Sequence, residues 1–302
     1  MKKALVIGGT QFFGKRLVRN LVDSGWDVTI ATRGKTPDPF GDSVQRLIID
    51  REDRKTLEDA FGGTDTFYDC VFDQSCYSPL EVKDALEVLE GRIGHYLFTS
   101  TMSVYDFGAS KQETEYDPYT YPIELKSRRE YIGVPGYKEA KRQAEAVLFQ
   151  TGNVLATAFR FPLVIGEDDY TGRLQFHVDR VKTGQPIGID NPESRLGYID
   201  SEDAARFIQF AAEQGLQGPY NPGSAGDLSL QELLDRIAQA AKTEAIIVAS
   251  TEKESTEKES TSPYNFEASL SPDVSKAAAT GFEFRKLDDV MDGLIQYYLQ
   301  TE

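Results

Sequence analysis

The chain has 302 residues, of which 40% are hydrophobic and 27% charged, as is usual for a soluble globular protein of one or two domains. Its formal net charge of −16 would repel a polyanion, so nucleic acid is not the expected partner. No apolar run approaches the ~20 residues of a membrane-spanning helix. Two cysteines cannot form a disulfide framework and two histidines offer little to a metal, so we expect a cytoplasmic protein without membrane or metal partners.

The first element is predicted over Lys3–Gly14, with the sequence KALVIGGTQFFG. The apolar run Ala4–Ile7 has strand character, two glycines interrupt it, and a helical pattern opens at about Gln11. Adjacent glycines at the carboxyl end of a strand let the backbone approach a ligand closely, and the following helix offers free N–H groups to an anion. This order of strand, turn and helix is the first unit of a dinucleotide-binding fold.

The segment GGTQFFG resembles the glycine-rich turn of the extended short-chain dehydrogenase/reductases, the NAD-dependent epimerase/dehydratase family. Gly8 and Gly14 match the first and last of its three spaced glycines, and Gln11 stands at the middle position. The resemblance implies a Rossmann-type, doubly wound parallel α/β sheet in the order 3-2-1-4-5-6, with a smaller C-terminal α/β part for the substrate. It also implies that the turn binds the cofactor through Gly8, Gly9, Thr10, Gln11, Phe12, Phe13 and Gly14. Without the resemblance, the two glycines are also compatible with an ordinary turn.

The second strand, Asp27–Thr32, ends where dinucleotide folds place the residue that contacts the adenosine ribose. An acidic residue there favours NAD, whereas Thr32 and Arg33 present no carboxylate. A guanidinium suits a 2′-phosphate, so the sequence predicts NADP, with NAD as the alternative. The competing interpretation is that Arg33 packs over the adenine or faces water.

The third strand, Gln45–Asp50, ends in Asp50, and an Asp at this point of the family contacts the adenine amino group. Strand four, Asp69–Asp73, is almost continuously apolar, as expected for a strand buried on both faces. The amphipathic helix that follows, Leu80–Leu89, corresponds to one that pairs with the catalytic helix across a dimer interface in relatives. The resemblance therefore implies a homodimer and a cofactor contact from Asp50.

Strand five, His95–Ser100, leads into Thr101 and a Met-Ser-Val-Tyr sequence. This segment resembles the family's serine/threonine segment, which places Thr101 at the catalytic hydroxyl and Ser100 in the cofactor site. The dehydratases of the family carry an Asp-Glu pair directly after that hydroxyl. Met102 and Ser103 occupy those positions here and cannot act as acid or base, which argues against dehydratase chemistry.

Residues 106–136 form a long polar connection, for which a substrate-side flap is one hypothesis. Its basic cluster, Lys126–Arg129, is predicted to be a solvated loop. The helix predicted next, Gly136–Gly152, places Tyr137 and Lys141 on one face, because residues four apart are neighbours on a helix. Among 15 tyrosines about one such pair is expected by chance, but this one follows strand five, where a catalytic helix should begin.

The pair matches the Tyr-x-x-x-Lys motif of the superfamily and completes a catalytic set of Thr101, Tyr137 and Lys141. Hydride transfer to or from a carbon requires a proton transfer at its oxygen, and a nearby ammonium favours the phenolate that accepts this proton. In the family the lysine also holds the nicotinamide ribose. The predicted function is thus an NAD(P)-dependent oxidoreductase or epimerase that acts on a nucleotide-sugar or on a sugar-like or small carbonyl substrate.

Later segments extend the resemblance and limit the choice of substrate. Strand six, Val154–Arg160, begins a match to an Arg-x-x-Asn-x-x-Gly segment at Arg160 and Gly166. Leu163 replaces the Asn that contacts the substrate phosphate in sugar-nucleotide enzymes, and Leu196 replaces an Arg that binds the nucleotide phosphate, although Arg195 is adjacent. Both replacements weaken the prediction of a UDP-sugar.

The domain boundary is predicted near residue 165. Residues 1–165 would form the dinucleotide-binding domain, and residues 166–302 mainly the substrate-binding part, with some segments returning to the sheet. In the second part, Ser229 and Glu232 predict a capping box at the start of a helix. Thr251–Ser260 repeats TEKES without an apolar side chain and is predicted to be a solvated loop.

A binding protein on the same fold is the competing hypothesis. Family members with GGT-x-F-x-G turns and a Thr-Arg-Gly after strand two include RNA-binding proteins of chloroplasts. A catalytically idle redox sensor or RNA-associated protein is therefore the alternative. The intact Thr101, Tyr137 and Lys141 set and the net charge of −16 favour the enzyme.

Overall fold

The computed structural model describes residues 1–151, 153–250 and 260–301. The chain divides into two compact units that alternate along the sequence. The first unit comprises Met1–Tyr105, Glu113–Phe161 and Ser201–Pro222, and the second comprises Asp106–Gln112, Pro162–Asp200 and Gly223–Glu302. The TEKES repeat lies outside the described residues, apart from Ser260.

Strands and helices are numbered here in chain order. The strands are β1 (Lys3–Ile7), β2 (Asp27–Thr32), β3 (Gln45–Ile48), β4 (Tyr68–Asp73), β5 (Ile93–Thr101), β6 (Gly108–Lys111), β7 (Leu155–Phe161), β8 (Leu163–Ile165), β9 (Ile187–Gly188), β10 (Arg195–Leu196), β11 (Tyr198–Asp200), β12 (Gly218–Tyr220), β13 (Leu228–Ser229), β14 (Ile247–Val248) and β15 (Leu270–Pro272). The helices are α1 (Phe12–Asp23), α2 (Arg54–Phe61), α3 (Pro79–Val88), α4 (Gly133–Thr151), α5 (Arg173–Lys182), α6 (Ser201–Gln214), α7 (Leu230–Ala241), α8 (Ser275–Ala278) and α9 (Leu287–Gln300).

The first unit is built on a parallel sheet in the order β12-β7-β5-β4-β1-β2-β3. Since β7 is the predicted strand six, the predicted order 3-2-1-4-5-6 is confirmed, and β12 extends the sheet beyond it. The order reverses between β1 and β4. In open α/β sheets this switch point is where a ligand binds, outside the carboxyl ends of the strands.

The sheet of the first unit is buried on both faces. Leu5 and Ile7 of β1 belong to the same core cluster as Val82 of α3 and Val147 of α4. The alternate residue, Val6, faces α1 on the opposite side. Because successive side chains of a strand point to opposite faces, helices cover both faces, which is the doubly wound arrangement.

The helix boundaries differ from those predicted by a few residues. Helix α4, which carries Tyr137 and Lys141, begins at Gly133 instead of Gly136. Helix α2 begins at Arg54, where Asp53 caps it. The predicted capping box of α7 is confirmed, since the Ser229 hydroxyl accepts from the N–H of Glu232 at 3.1 Å and the Glu232 carboxylate accepts from the N–H of Ser229 at 2.9 Å.

The second unit contains a small sheet in the order β13-β10-β15-β6 and two short strand pairs, β8 with β11 and β9 with β14. Helices α5, α7 and α9 pack together beside them. Strand β6 shows that the predicted connection 106–136 is not irregular throughout. Among the described helices, none has the length and apolar character that crossing a bilayer requires.

Residues 116–125 pack along α4 and are held there by side-chain contacts, so they do not form a free flap. The Tyr121 hydroxyl donates to the Glu139 carboxylate at 2.8 Å, and the N–H of Glu124 donates to the side chain of Gln143 at 2.7 Å. The ring of Tyr119 packs against that of Phe149, with centroids 5.0 Å apart. A homodimer through α3 and α4 stays a prediction.

Candidate active site

The turn after β1 has the geometry of a close-packed ligand loop. Gly8 and Gly9 have φ of +101° and +85°, a region that residues with a Cβ rarely adopt. A Cβ on Gly9 would lie 2.8 Å from the side chains of Val6 and Val18. A Cβ on Gly14 would lie 3.2 Å from the Cα of Gly9. These glycines therefore let α1 start against the strand, with its N-terminus at the switch point.

The middle position of the motif does not require a glycine here. Gln11 has an extended backbone, with φ of −135° and ψ of 154°, and its side chain is exposed. It is the N-cap of α1 but makes no capping side-chain bond, so its side chain does not occupy the N-terminus of the helix, where an anion could bind. Phe12 has φ of +49°, which is strained for a residue with a Cβ and marks a tightly determined turn.

The end of β2 exposes two cations. Arg33 and Lys35 are both exposed, and no carboxylate of the described residues lies within ion-pair distance of either. Thr32 accepts from the N–H of Gly34 at 3.1 Å, which shapes the turn that carries Arg33. Asp50 lies two residues beyond β3, and its carboxylate accepts from the N–H of Glu52 at 3.0 Å.

The loop after β4, residues 74–78, is the β4 loop. Asp73 fixes it, since one carboxylate oxygen accepts from the N–H groups of Ser75 and Cys76 at 3.3 and 3.1 Å. The other oxygen accepts from Arg51 at 2.9 Å. Burial raises the pKa of the Cys76 thiol, so this cysteine stays protonated and contributes its backbone carbonyl to the site instead.

Lys141 is buried at the carboxyl ends of β4 and β5. Its ammonium donates to the carbonyl oxygens of Cys76 and Thr99 at 2.6 and 2.8 Å and lies 4.8 Å from the ring centre of Phe98. Only 6% of the residue is exposed. An ammonium has three N–H groups, so two are committed to carbonyls and one remains for a substrate, a cofactor or Tyr137.

Tyr137 lies one helical turn before Lys141 and is partly exposed. Its ring packs against that of Tyr77 in the β4 loop, with centroids 5.5 Å apart. Burial and the neighbouring Tyr137 raise the pKa of Tyr77, so Tyr77 stays protonated at neutral pH. Tyr137 and Lys141 therefore both contact the β4 loop.

Thr101 ends β5 and is half-buried. Its side-chain oxygen accepts from the N–H of Ser103 at 3.1 Å, which caps a short 3₁₀ turn at Met102–Val104. A hydroxyl can accept and donate at once, so the Thr101 proton remains available to a substrate oxygen. The next residue, Met102, is buried and apolar.

Ser100 points into a buried ionic network. Its hydroxyl donates to the Glu145 carboxylate, which also binds Arg160 at 2.7 Å. Both charged side chains are fully buried, and Arg160 further donates to the Tyr105 hydroxyl at 3.0 Å. Ser100 is therefore better placed to hold Glu145 on α4 than to bind a cofactor with its side chain.

Several residues around the site were not predicted from the sequence. Arg128 donates to both carboxylate oxygens of Glu81 at 2.6 and 2.7 Å, and Glu81 is buried at the start of α3. The prediction that Lys126–Arg129 is a solvated loop is thus wrong for Arg128. Glu81 also accepts from the N–H of Tyr77 at 3.0 Å, so this ion pair braces the β4 loop. An acidic residue in the first turn of α3 was the available signal.

Two residues considered as substrate contacts are buried within the second unit. Leu163 in β8 and Leu196 in β10 are 6% and 0% exposed. They are strand residues in the interior of that unit. Neither supplies a polar group in place of the Asn and Arg of sugar-nucleotide enzymes.

Comparison with known proteins decides the family. The sequence model of the NAD dependent epimerase/dehydratase family matches residues 4–223. The chain belongs to this family. It is 29% identical over 215 residues to chloroplast stem-loop binding protein of 41 kDa b of Arabidopsis thaliana, a match over 66% of this chain and about half, 52%, of the relative. It is 24% identical over 241 residues to a decarboxylating sterol-4-alpha-carboxylate 3-dehydrogenase of Dictyostelium discoideum, covering 71% of this chain and 69% of that one.

Solved structures agree on the fold of this family member. UDP-glucose 4-epimerase of Thermus thermophilus, in complex with NAD, has a TM-score of 0.71 at 18% identity, covering 99% of this chain and 100% of that one. WbmG of Bordetella bronchiseptica, also in complex with NAD, has a TM-score of 0.74 at 16% identity, covering 99% and 94%. At these identities the likeness establishes the Rossmann-type fold and leaves the substrate open.

Proposed function

We propose that the protein is an NAD(P)-dependent oxidoreductase or epimerase with Tyr137 as its general acid/base. The observation that carries the proposal is the position of the Lys141 ammonium, which is buried at the carboxyl end of β5 and held by two carbonyl oxygens. It lies one helical turn from Tyr137, at the strand end that carries Thr101. A phenol, an ammonium and a hydroxyl together can move a proton at an alcohol or carbonyl oxygen.

The residues present fit a dinucleotide. The glycine turn has no room for a Cβ at Gly9, and α1 opens without a side-chain cap at Gln11, as a pyrophosphate site requires. Arg33 has no carboxylate partner among the described residues, which suits a 2′-phosphate and favours NADP over NAD. When bound, the nicotinamide group supplies the hydride donor or acceptor.

The chain's own residues carry out the rest of the chemistry. Tyr137 takes the proton from a substrate hydroxyl, or returns it, at the phenolic oxygen. The remaining N–H of Lys141 holds a ribose hydroxyl, and Thr101 donates to the substrate oxygen and orients it. Met102 and Ser103 provide no second acid or base, so elimination of water, as in the dehydratases, is not expected.

The substrate class that we propose is a nucleotide-sugar or a sugar-like or small carbonyl compound. The solved relatives include a UDP-glucose 4-epimerase, which supports the first. The apolar Leu163 and Leu196 favour the second, because a buried strand residue without polar atoms cannot hold a nucleotide phosphate.

A second candidate function is RNA association without catalysis. The relative at 29% identity is a stem-loop binding protein by name, and that observation favours it. The net charge of −16 opposes it, since phosphate contacts dominate the affinity for RNA. A gel-shift titration with a stem-loop RNA at physiological salt separates the two functions.

The deciding experiment measures turnover of NADPH and NADP⁺ with a panel of carbonyl compounds, alcohols and UDP-sugars. Tyr137→Phe should lower kcat on any accepted substrate by ~10²–10⁴-fold and leave cofactor affinity nearly unchanged, because the phenol acts on the substrate. Tyr297→Phe, at a partly exposed tyrosine of α9, is the matched control. Full activity of Tyr137→Phe, or stem-loop binding without any turnover, would overturn the proposal.

A further inference from the structure

The guanidinium of Arg128 has one edge that its contacts within the fold leave open. Its Nε and Nη2 donate to the two carboxylate oxygens of Glu81 at 2.6 and 2.7 Å, and Nη2 also donates to the carbonyl of Ser75 at 3.2 Å. A guanidinium has five N–H groups, so these bonds use three, and no described residue accepts from the two on Nη1. The side chain is 31% exposed, and Nη1 reaches solvent. This edge is therefore available to an anion from outside the chain.

Arg128 lies against the β4 loop, which connects two parts of the proposed site. Ser75, whose carbonyl it bonds, has its Cβ 3.5 Å from the point where a Cβ on Gly8 would stand. The ring centre of Tyr77 lies 5.6 Å from the guanidinium carbon of Arg128 and 5.5 Å from the ring centre of Tyr137. One residue of the loop thus separates Arg128 from the glycine turn, and another separates it from Tyr137.

The charges around the β4 loop favour an anion, although the chain as a whole is acidic. Two carboxylates, Asp73 and Glu81, accept from N–H groups of the loop. Within the part of the chain that the structure describes, three cations bond the loop or these carboxylates, and they are Arg51, Arg128 and Lys141. One positive charge is in excess, and Arg128 is the cation that reaches solvent, because the other two are buried. An excess of positive charge attracts an anionic ligand.

We propose that Arg128 is a substrate-binding residue that holds an oxyanion of the substrate, a phosphate or a carboxylate, through Nη1. The inference rests on the proposed function and narrows its substrate class to a carbonyl or sugar-like compound that carries such a group. Charge-assisted N–H bonds are the strong ones, and the Glu81 pair fixes the guanidinium before the ligand arrives. The chain thereby has a charged substrate contact even though Leu163 and Leu196 offer none.

The oxyanion belongs to the substrate and not to the cofactor. The glycine turn and the N-terminus of α1 already provide for the pyrophosphate. Arg128 shares the ring of Tyr77 with Tyr137, and Tyr137 is the residue that acts on the substrate in the proposed function.

The test uses inorganic phosphate and acetate as probes, titrated by NMR into the protein saturated with NADP, so that the pyrophosphate site is filled. Arg128→Gln should weaken binding of the preferred probe by about tenfold or more, and the preference between the two probes identifies the oxyanion. The NADP affinity of the variant should stay within about threefold of the wild type, because the edge does not serve the cofactor.

Two further variants separate the Nη1 edge from charge and from folding. Arg129→Gln removes the same charge from the next residue, whose side chain is 82% exposed and pairs with Glu52, and it should leave probe binding nearly unchanged. Arg128→Lys keeps a charged partner for Glu81, so it preserves the loop if Arg128→Gln does not fold. Its three N–H groups match the three bonds that Arg128 makes within the chain, so it should also lose about tenfold in probe affinity.

The other possible results overturn the inference in distinguishable ways. Neither probe binding to the wild type, or equal losses in Arg128→Gln and Arg129→Gln, would mean that Arg128 holds no oxyanion. Wild-type affinity in Arg128→Lys would show that charge alone suffices, and a tenfold loss of NADP affinity in Arg128→Gln would assign the edge to the cofactor. A protein that binds neither NADP nor NAD would overturn the proposed function, and the substrate role of Arg128 with it, whatever its affinity for phosphate.

Discussion

The ammonium of Lys141 donates to the carbonyl oxygen of Cys76, 65 residues earlier in the chain, at 2.6 Å. This bond joins helix α4 to the β4 loop, and the next residue of that loop, Tyr77, packs against Tyr137. One loop therefore positions both residues of the Tyr-x-x-x-Lys pair. Asp73 and Glu81 anchor that loop through its N–H groups.

Removing the lysine charge should affect the cofactor as well as the chemistry. Lys141→Met leaves two carbonyl oxygens without a donor and removes the N–H that would hold a ribose hydroxyl, so NADP affinity should fall by about tenfold or more. Tyr137→Phe should change it by less than about threefold, because the phenol acts on the substrate. Calorimetry on both variants checks this. Equal losses of NADP affinity in the two variants would contradict the proposal that Lys141 acts on the cofactor and Tyr137 on the substrate.

Cofactor preference should depend on Arg33. Arg33→Gln removes the exposed guanidinium that we propose as the partner of a 2′-phosphate, so the affinity for NADP should fall by roughly tenfold or more while that for NAD stays the same. Arg19→Gln, at an exposed arginine of α1 on the same unit, is the matched control. The affinities can be measured by fluorescence titration of NADPH and NADH. Preference for NAD in the wild type would show that Arg33 does not meet the ribose.

Six of the seven strands in the sheet of the first unit were placed in it from the sequence, and β12 was not. Most of the six are short apolar runs that end at a turn, and their order follows from the fold class that the resemblance implies. Strand β6 was missed because Gly108–Lys111 is polar and gains its strand geometry by pairing with β15, far along the chain. Pairing between two strands that lie far apart in the sequence produces no periodic pattern of apolar residues within either segment.

The parts of the site that depend on tertiary contacts could not be predicted in the same way. Tyr137, Lys141 and Thr101 stand in recognisable motifs. By contrast, Arg128 and Glu81 are 47 residues apart, and each alone is an ordinary charged residue. The buried amide of Gln74, which has no hydrogen-bond partner among the described residues, is likewise a tertiary feature. Neither feature corresponds to a fixed residue spacing in the sequence.

The buried pair of Arg160 and Glu145 should matter strongly for stability. Arg160→Met leaves the fully buried Glu145 carboxylate without its cation and should lower the free energy of unfolding by ~3–5 kcal/mol. The double variant Arg160→Met with Glu145→Met should recover much of that loss, because no unpaired charge remains. Urea denaturation measures both.

A surface ion pair provides the control for this prediction. Lys55 and Asp59 are 2.9 Å apart on α2, with side chains 74% and 66% exposed. Lys55→Met should leave the free energy of unfolding nearly unchanged, because water screens an exposed ion pair. If Arg160→Met were as mild as Lys55→Met, the ionic network would not hold Ser100 and α4 as described.

Both histidines should make the protein less stable in mild acid. Burial lowers the pKa of His95 and of His177 to about 4 in the folded state. His95 is bonded to the Thr157 hydroxyl and His177 to the Ser262 hydroxyl, each at 2.7 Å. The His177 Nδ1 lies 2.7 Å from the Arg173 carbonyl, so it donates there and the other nitrogen accepts from Ser262.

The sign of the pH dependence follows from these values. The pKa of a histidine in the unfolded state is near 6.5, so between pH 6.5 and about 4 the unfolded state binds more protons than the folded state. The contribution of the neutral histidines to the free energy of unfolding should therefore be fully present above pH 6.5. It should fall as the pH drops, by up to ~1.4 kcal/mol per pH unit for each histidine. The measurement is the free energy of urea unfolding at several pH values.

Comparison with His95→Gln and His177→Gln isolates the contribution of the histidines. Carboxylates also lose favourable interactions in this range, but they are common to the wild type and the variants and cancel in the difference. Each variant should show a shallower loss of stability between pH 6.5 and 4 than the wild type, whatever its stability at pH 7. Parallel curves for wild type and variants would mean that the histidines are not held neutral by burial, and the prediction would be wrong.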